Sequence, residues 1–409
     1  MTFKKRIITA IATGAVLVNA MAPFAFADTS LTVSGNGALS QSAVNVTNAS
    51  NTVVNQTNNA NITNNIHSDA STGGNSSNFN TGGNSTISTG DANNTVTVNN
   101  AANLNKASVS CGCNTGNLSV NVTGNGGESA NAVNATNANS VFLNQNNDAN
   151  FRNNVTANSS TGKNDSSFNT GGSTVIVTGN AADNVTVNNK ANANIATIGG
   201  ANGGSAGGSS VVVSGNGALS QNAVDLANVS AVVLNQANDA NIGNNIRTKA
   251  ETGDNESQFN TGGTNGIATG NATDKVNVSN LANFNAADVN CDCTFSGLTA
   301  KVAGNGAESD NAIEADSVNS LFPDQVNDAA LWNSLDGKTK TGDNTIGFST
   351  GSVFGDPVVL TGNSKSSSDV NNAGNVNVLD NGESVNLPGN WNVGVNFDLG
   401  GLLSFISMI

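Results

Sequence analysis

Two Cys-x-Cys pairs are the residues of this 409-residue chain whose type and spacing best suit chemistry, and they hold all four of its cysteines: Cys111, Cys113, Cys291 and Cys293. In an exported chain such thiols usually form disulfides. In a linear stack of short coils the two pairs would lie about 38 Å apart, too far for a bond between them. Each pair would then close on itself or crosslink another molecule, unless the first and third copies of the repeat described below pack together. Metal binding is the weaker interpretation because a soft-metal site usually needs four ligands.

Few other side chains could support catalysis or bind a metal ion. His67 is the single histidine, so it offers no second imidazole ligand nearby. Glu128 and Glu308 recur at matching positions, as do turns such as Thr252-Gly253-Asp254. Catalysis needs a unique constellation, whereas recurring residues indicate architecture. We therefore predict no enzyme, no catalytic residue and no cofactor, with Ca²⁺ at turn carboxylates as an open alternative.

The composition excludes a core built from large side chains. The chain has 78 Asn and 46 Gly, with 4% aromatic and 10% charged residues. A large interlocking core needs Phe, Leu, Trp and Tyr. A charge-driven disordered polymer is also disfavoured, since 37% of the residues are hydrophobic, many of them Val and Ala.

The first 27 residues have the layout of a secretory signal peptide. Three bases (Lys4, Lys5 and Arg6) precede an apolar run over 7–18, and Ala25-Phe26-Ala27 forms a small-x-small cleavage site. Cleavage would change the net charge from −14 to −17. We predict a secreted or cell-surface protein without a transmembrane segment, and no nucleic-acid partner, because the acidic surface repels phosphates.

Four copies of one unit follow. A Gly-Asn-Gly triplet lies near the start of each copy, in steps of 89, 91 and 89 residues, at Gly35, Gly124, Gly215 and Gly304. A glutamine stands at the same offset in every copy: Gln56, Gln145, Gln236 and Gln325. A phenylalanine does likewise: Phe79, Phe168, Phe259 and Phe348. The predicted repeats span 28–119, 120–207, 208–298 and 299–387, and an apolar C-terminal segment spans 388–409.

The copies alternate as A-B-A-B. The first and third carry Cys-x-Cys, and the second and fourth do not. The fourth also diverges, with Pro323, Trp332 and Pro357 where the earlier copies have neither residue type. Such divergence is typical of a terminal repeat that caps a stack.

Short alternating runs such as Leu118-x-Val120-x-Val122, bounded by Asn-Gly and Gly-Gly, predict an all-β chain. We predict a β-solenoid of the parallel β-helix type, in which small aliphatic residues and stacked Asn amides replace a thick core. Coils of roughly 20 residues would give about four per repeat and a rod on the order of 75 Å long. Tandem β-sandwich domains are the alternative.

A local motif resembles the repeat of secreted curlin-type amyloid subunits. That repeat spaces Ser, Gln, Gly and Asn along each coil, and Ser50-x5-Gln56-x-Asn58-x2-Asn61 is similar. The segment Ser230-x5-Gln236-x-Asn238-x2-Asn241 matches it, whereas Asn139 and Asn319 replace the Ser in the other copies. Here Asn stands where the family has Gly, and the unit recurs every 90 residues or so. The resemblance implies a solenoid subunit that adds end to end into amyloid-like extracellular fibres.

The C-terminal segment becomes almost wholly apolar. Its candidate assembly residues are Trp391, Phe397, Leu402, Leu403, Phe405 and Ile406. The segment either caps the last coil or is donated to another subunit or surface.

The sequence therefore favours a secreted structural or adhesive protein that self-associates by β-strand pairing into a homopolymer. A surface module that binds glycan or ice is the alternative. A carbohydrate-active enzyme is a third, less favoured interpretation, because we find no convincing set of acidic residues that one copy holds and its sister copies lack at matching offsets.

Overall fold

The computed structural model describes residues 7–9, 19–20, 29–111, 117–199, 208–291, 296–350 and 356–380. About 75% of this part is strand, and it contains no helix, as the all-β prediction requires. The strands are β1 Ile7–Thr9, β2 Asn19–Ala20, β3 Thr29–Ser34, β4 Gln41–Ser71, β5 Ser85–Ser88, β6 Ala92–Val109, β7 Leu118–Thr123, β8 Ala130–Ser160, β9 Thr174–Val177, β10 Ala181–Ile198, β11 Gly208–Ser214, β12 Gln221–Glu251, β13 Glu256–Gln258, β14 Asn265–Ala268, β15 Ala272–Val289, β16 Ser296–Ala303, β17 Asp310–Lys340, β18 Thr345–Gly347, β19 Val358–Leu360 and β20 Ser364–Asp380.

Each of the four main sheets is parallel and takes one strand from every repeat. The first sheet is β3-β7-β11-β16, and the long sheet is β4-β8-β12-β17. The small sheet is β5-β9-β14-β19, and the return sheet is β6-β10-β15-β20. β13 and β18 form a further parallel pair, and β1 and β2 both pair with the outer edge of β6. The sheets are not closed.

The strand register joins equivalent residues of successive repeats. Gln56 pairs with Gln145, Gln145 with Gln236, and Gln236 with Gln325. One repeat therefore forms one layer, and the prediction of twenty-residue coils is wrong. The alternative prediction of tandem β-sandwich domains is also wrong, because the repeats share every main sheet. Four layers at the usual strand spacing of about 4.8 Å make a stack roughly 15–20 Å deep.

Within one layer the long strand and the return strand face each other and run in opposite directions. Asn58 contacts Asn105, while Asn64, further along, contacts Asn100. These contacts join side chains, whereas the main-chain ladders of both strands run to other layers. The layer is a flat arch whose two arms are the long strand and the return strand, and the core lies between these arms.

The core is thin because each arm contributes small or medium-sized residues. Leu143 and Leu234 pack with Ala196, and Val155 packs with Val187; all five are buried. A second cluster fills the space between the first sheet and the start of the long sheet. This packing accounts for a chain rich in Val and Ala and poor in aromatic residues.

The turns between arms depend on glycine where adjacent layers touch. A Cβ at Gly162 would overlap the carbonyl oxygen of Gly253 in the next layer. The same contact recurs between Gly73 and Gly162, so the Thr-Gly turns stack directly on one another. The glycine here is a packing requirement of the in-register stack.

Candidate assembly surface

Buried asparagines form two-sided ladders between the arms. The Asn147 side chain is fully buried, and its Nδ2 donates to Asn194 Oδ1 at 2.8 Å and to Asn238 Oδ1 at 3.0 Å. Its Oδ1 accepts from Asn58 Nδ2 at 3.1 Å and from Asn105 Nδ2 at 3.0 Å. Two donors and two acceptor positions are thus used, which is the condition for burying a carboxamide without penalty.

The four phased glutamines form a second ladder. Gln145 Nε2 donates to Gln56 Oε1 at 2.8 Å, and the bond recurs from Gln236 to Gln145 and from Gln325 to Gln236. The other N–H of each amide reaches a carbonyl of the return strand, as Gln145 does to Ile195 O at 3.1 Å. Each glutamine after the first therefore ties its layer to the previous layer, and all four tie the long strand to the return strand.

The buried Asn ladders have a direction. In the Gly-Asn-Gly turns, Asn36 Nδ2 donates to Asn125 Oδ1, Asn125 to Asn216, and Asn216 to Asn305, at 2.8–2.9 Å. The ladder that begins at Asn58 also donates from repeat one toward repeat four. These Asn ladders therefore end in amide oxygens at repeat one and in amide N–H groups at repeat four, whereas the glutamine ladder donates in the opposite direction.

Within the described ranges, no strand pairs with the outer side of β4 or of β17, so each end of the long sheet is an open edge of 31 residues. Alternate residues of a parallel strand direct their N–H and C=O groups to opposite neighbours. Ala130 N donates to Ser40 O, so Ser40 faces repeat two. Thr57 lies an odd number of residues further along and faces the open edge of repeat one. Edges of this length are uncommon in natural proteins because they pair with other chains.

Pro323 lies on the opposite edge, in repeat four. Asp310 N donates to Ser220 O, so Asp310 faces repeat three. The register of β12 and β17 is continuous, and Pro323 is an odd number of residues from Asp310. Because proline has no N–H, the outward side of the edge lacks a donor at this position. Proline at such a position weakens an edge without disturbing the pairing inside the sheet.

The four phased phenylalanines form an exposed aromatic row. Their rings stack at centroid distances of 4.9–5.0 Å with interplanar angles of 7–10°. All four have positive φ, a conformation rare for bulky residues. Phe79 and Phe348, at the two ends, have relative exposures of 74% and 79%. Both outer ring faces are open for a further ring to stack on.

The disulfide joins Cys111 to Cys291, with Cα atoms 5.5 Å apart. The expectation that each pair closes on itself or crosslinks molecules is therefore wrong for these two residues. One repeat forms one layer, so repeats one and three are two layers apart instead of eight coils. Cys113 and Cys293 lie outside the described residues.

Repeat two makes room for this bond. Its residue equivalent to Cys111 is Gly200, in a glycine-rich stretch that begins at Gly199. A Cβ on Gly199 would lie 2.7 Å from Cys111 Sγ. The A-B-A-B alternation thus has a physical meaning. Repeats one and three carry the bonded cysteines, and repeat two, which lies between them, has glycine next to the bond.

The remaining candidate residues lie at the surface or outside the described part. His67 Nε2 lies 2.8 Å from Asp69 Oδ2, and both side chains are exposed. The C-terminal assembly residues Trp391, Phe397, Leu402, Leu403, Phe405 and Ile406 lie outside the described residues, as does most of the predicted signal peptide. Within the described ranges, no group of three or more His, Cys, Asp or Glu could hold a metal ion.

Exposed carboxylates also stack. Asp239 lies between Asp148 and Asp328 in the register of the long sheet. Desolvation by burial, followed by repulsion from Asp148 and Asp328, raises the pKa of Asp239. An in-register stack places like charges one strand spacing apart, and the two neighbours therefore disfavour the charged form of the middle carboxyl group, Asp239.

Among the residues that the structure describes, no helix has the length and apolar character needed to cross a membrane. Comparison with protein-family models, with curated proteins and with solved structures finds no match to this chain. The geometry of the stack is therefore the basis from which a function can be inferred.

Proposed function

We propose that this protein is an exported structural subunit that polymerises end to end into extracellular fibres, with each copy adding four layers to a β-solenoid-like stack. The observation that carries the proposal is the pair of open 31-residue parallel edges at the two ends of one in-register stack. The curlin-type resemblance, the signal peptide and a cell-surface or adhesive role are consistent with it and stay predictions. Glycan binding also stays a prediction.

Residue identity across the proposed junction supports this function. If repeat four of one copy stacks on repeat one of the next, each ladder continues with the same residue type. The matching pairs are Asn305 with Asn36, Gln325 with Gln56, Asn327 with Asn58, Asn333 with Asn64, Thr341 with Thr72, Asn344 with Asn75, Phe348 with Phe79, Asn372 with Asn100 and Asn377 with Asn105. A terminal cap would need their side-chain oxygens, because Asn305 Oδ1 accepts from Asn216 and Asn327 Oδ1 from Asn238 within the chain, but it would not need the same residue type as repeat one.

The ladder direction favours head-to-tail growth. Asn305 Nδ2 would donate to Asn36 Oδ1 of the next copy, as Asn216 donates to Asn305 within one chain at 2.9 Å. A two-fold contact between identical ends would place the strands antiparallel and break the register of the ladders. Head-to-tail contacts that do not close into a ring produce open filaments.

The edge of repeat one can accept an added parallel strand. β1 pairs in parallel with Val96–Val98 of β6, on the side away from repeat two. The residues of β1 belong to the predicted signal peptide, whose cleavage would leave this edge open to a second copy. Unpaired edges of this kind are templates for strand addition.

The proposal is tested by blocking the repeat-one edge with Thr57→Pro. Because Thr57 faces outward, proline there removes no hydrogen bond within the chain but denies the next copy one donor and adds a ring at the contact. We expect fibre elongation, followed by light scattering and electron microscopy, to fall on the order of tenfold or more. The unfolding free energy of the monomer should change by less than about 1 kcal/mol.

Thr57→Val is the matched control, since it keeps the N–H and the β-branched shape, and it should elongate like the wild type. Fibres of Thr57→Pro that grow at the wild-type rate would show that this edge is not the contact. A wild-type chain that stays monomeric at high concentration would contradict the fibre function itself.

Pro323 offers the opposite change. The equivalent residues in the first three repeats are Val54, Leu143 and Leu234, so Pro323→Leu restores the missing outward donor and the local pattern. We expect faster elongation, by roughly threefold to tenfold if the gain is one hydrogen bond of about 1 kcal/mol. Slower elongation in seeded growth assays would contradict a free repeat-four edge.

A further inference from the structure

One buried ladder position carries two carboxyl groups in adjacent layers. Register pairing aligns Asn94, Asp183, Asp274 and Ser366 across the return sheet. The two aspartates belong to the inner layers and have relative exposures of 2% and 0%. Their Cα atoms are register partners, so the groups lie about one strand spacing, roughly 4.8 Å, apart.

Each aspartate has one oxygen with a partner and one without. Ser159 Oγ donates to Asp183 Oδ1 at 2.6 Å, and Ser366 Oγ donates to Asp274 Oδ2 at 3.0 Å. Asp183 Oδ2 and Asp274 Oδ1 are buried and have no hydrogen-bond partner. A buried acceptor without a donor is a costly defect, and two charged acceptors side by side are worse.

Among the residues that the structure describes, no cationic side chain acts on either carboxyl group. The side chains that face the pair are Asn94 from β6, Ser159 from β8, Thr248 from β12 and Ser366 from β20, and none of them is charged. β17 contributes Gly337 there, close to the Asp274 carboxylate. Desolvation by burial raises the pKa of Asp183 to about 7, with further repulsion from Asp274, and burial also raises the pKa of Asp274.

We propose that Asp183 and Asp274 hold one proton between them in the folded stack, so that the contact between repeats two and three is stronger in acid than in base. One added proton turns an unpartnered oxygen into a donor and removes one of the two like charges. This is the arrangement of paired carboxyl groups that cannot both ionise. Repeat one already has the neutral isostere, Asn94, at the same position.

The sign of the pH dependence follows from linkage. The folded chain holds a proton that an unfolded aspartate, with a pKa near 3.9, releases. The stabilisation is therefore complete below the unfolded pKa and is lost as the pH rises through about 7. Carboxylates that are salt-bridged or hydrogen-bonded in the folded state give the opposite trend. A stability that falls with rising pH therefore identifies a shared proton.

The test is urea unfolding of the monomeric chain at several pH values from about 5 to about 9. We expect the folding equilibrium constant of the wild type to fall on the order of a hundredfold across this range. Asp183→Asn supplies a permanent donor and should be nearly flat. The control Asp225→Asn removes the same charge from an exposed residue of β12 and should keep the wild-type slope.

Asp274→Asn repeats the test from the other side of the pair and covers the case in which Asp183→Asn does not fold. Infrared spectroscopy gives an independent readout: the band of a protonated carboxyl group should be present near pH 6 and absent from both variants. A wild-type stability that is flat or rises with pH would overturn the proposal. Stabilisation by Ca²⁺ at constant ionic strength, lost in both variants, would also overturn it, because the pair would then be a cation site.

Discussion

Asn147→Asp is expected to lower the unfolding free energy by about 3–5 kcal/mol, a large part of the stability of a typical domain. The substitution keeps the shape of the side chain but replaces both amide donors with a carboxylate oxygen. That oxygen would face Asn194 Oδ1 and Asn238 Oδ1, which now accept at 2.8 Å and 3.0 Å. A charge would be buried among acceptors, with no cation nearby in the ladder.

Rotation of a neighbouring amide does not repair this defect. If Asn238 turned its N–H groups toward the new carboxylate, it would lose its bonds to Asn285 Oδ1 and Asn327 Oδ1. The unpaired acceptor would move along the ladder and remain buried. This coupling between layers is the reason for expecting a cost well above that of one hydrogen bond.

Asn146→Asp is the matched control because it makes the same change one residue away, on the exposed face of β8. Its effect should lie within about 0.5 kcal/mol of zero. Denaturant unfolding of both variants at neutral pH measures the difference. Equal effects would mean that the amide ladder is not a main source of stability.

Much of this architecture follows from the sequence because its landmarks are in phase. Gln56 and Phe79 recur at fixed offsets, and each becomes a ladder in which every copy contacts the next. The all-β class follows from the alternation of Val with polar residues. These properties depend on local spacing and on repetition, both of which a single sequence records.

The size of one layer does not follow from local spacing. Side chains alternate with a period of two in a strand whether its neighbour is 20 or 90 residues away in the chain. The distinguishing signal is that interior asparagines such as Asn58 and Asn64 recur only once per repeat, at matching offsets. A short coil would repeat them several times within each copy.

The buried carboxyl pair was missed for a related reason. Asp183 and Asp274 stand at matching offsets in repeats two and three, beside Asn94 in repeat one. Acidic residues at matching offsets indicate a structural role as long as the repeats are taken to be distant in space. Once each repeat is one layer, the same recurrence places two carboxyl groups next to each other in the interior.

Removal of the disulfide by a Cys111→Ser, Cys291→Ser double substitution is expected to lower the unfolding free energy by about 3–5 kcal/mol. The bond closes a segment with a sequence separation of 180 residues, and the loss of chain entropy in the unfolded state grows with the length of such a loop. The bond also ties repeat one to repeat three, so its loss should make repeat one the first layer to separate. Denaturant unfolding with fluorescence or circular dichroism measures the change.

Reduction of the wild type supplies the control, because it breaks the bond without changing a residue and should reach the stability of the double variant. Peptide mapping under non-reducing conditions should recover a fragment that links Cys111 to Cys291. A fragment that links Cys111 to Cys113, or a dimer joined through Cys111 or Cys291, would contradict this pairing. It would also remove the explanation of the alternation, because only a bond that crosses a layer requires cysteine in repeats one and three and glycine in repeat two.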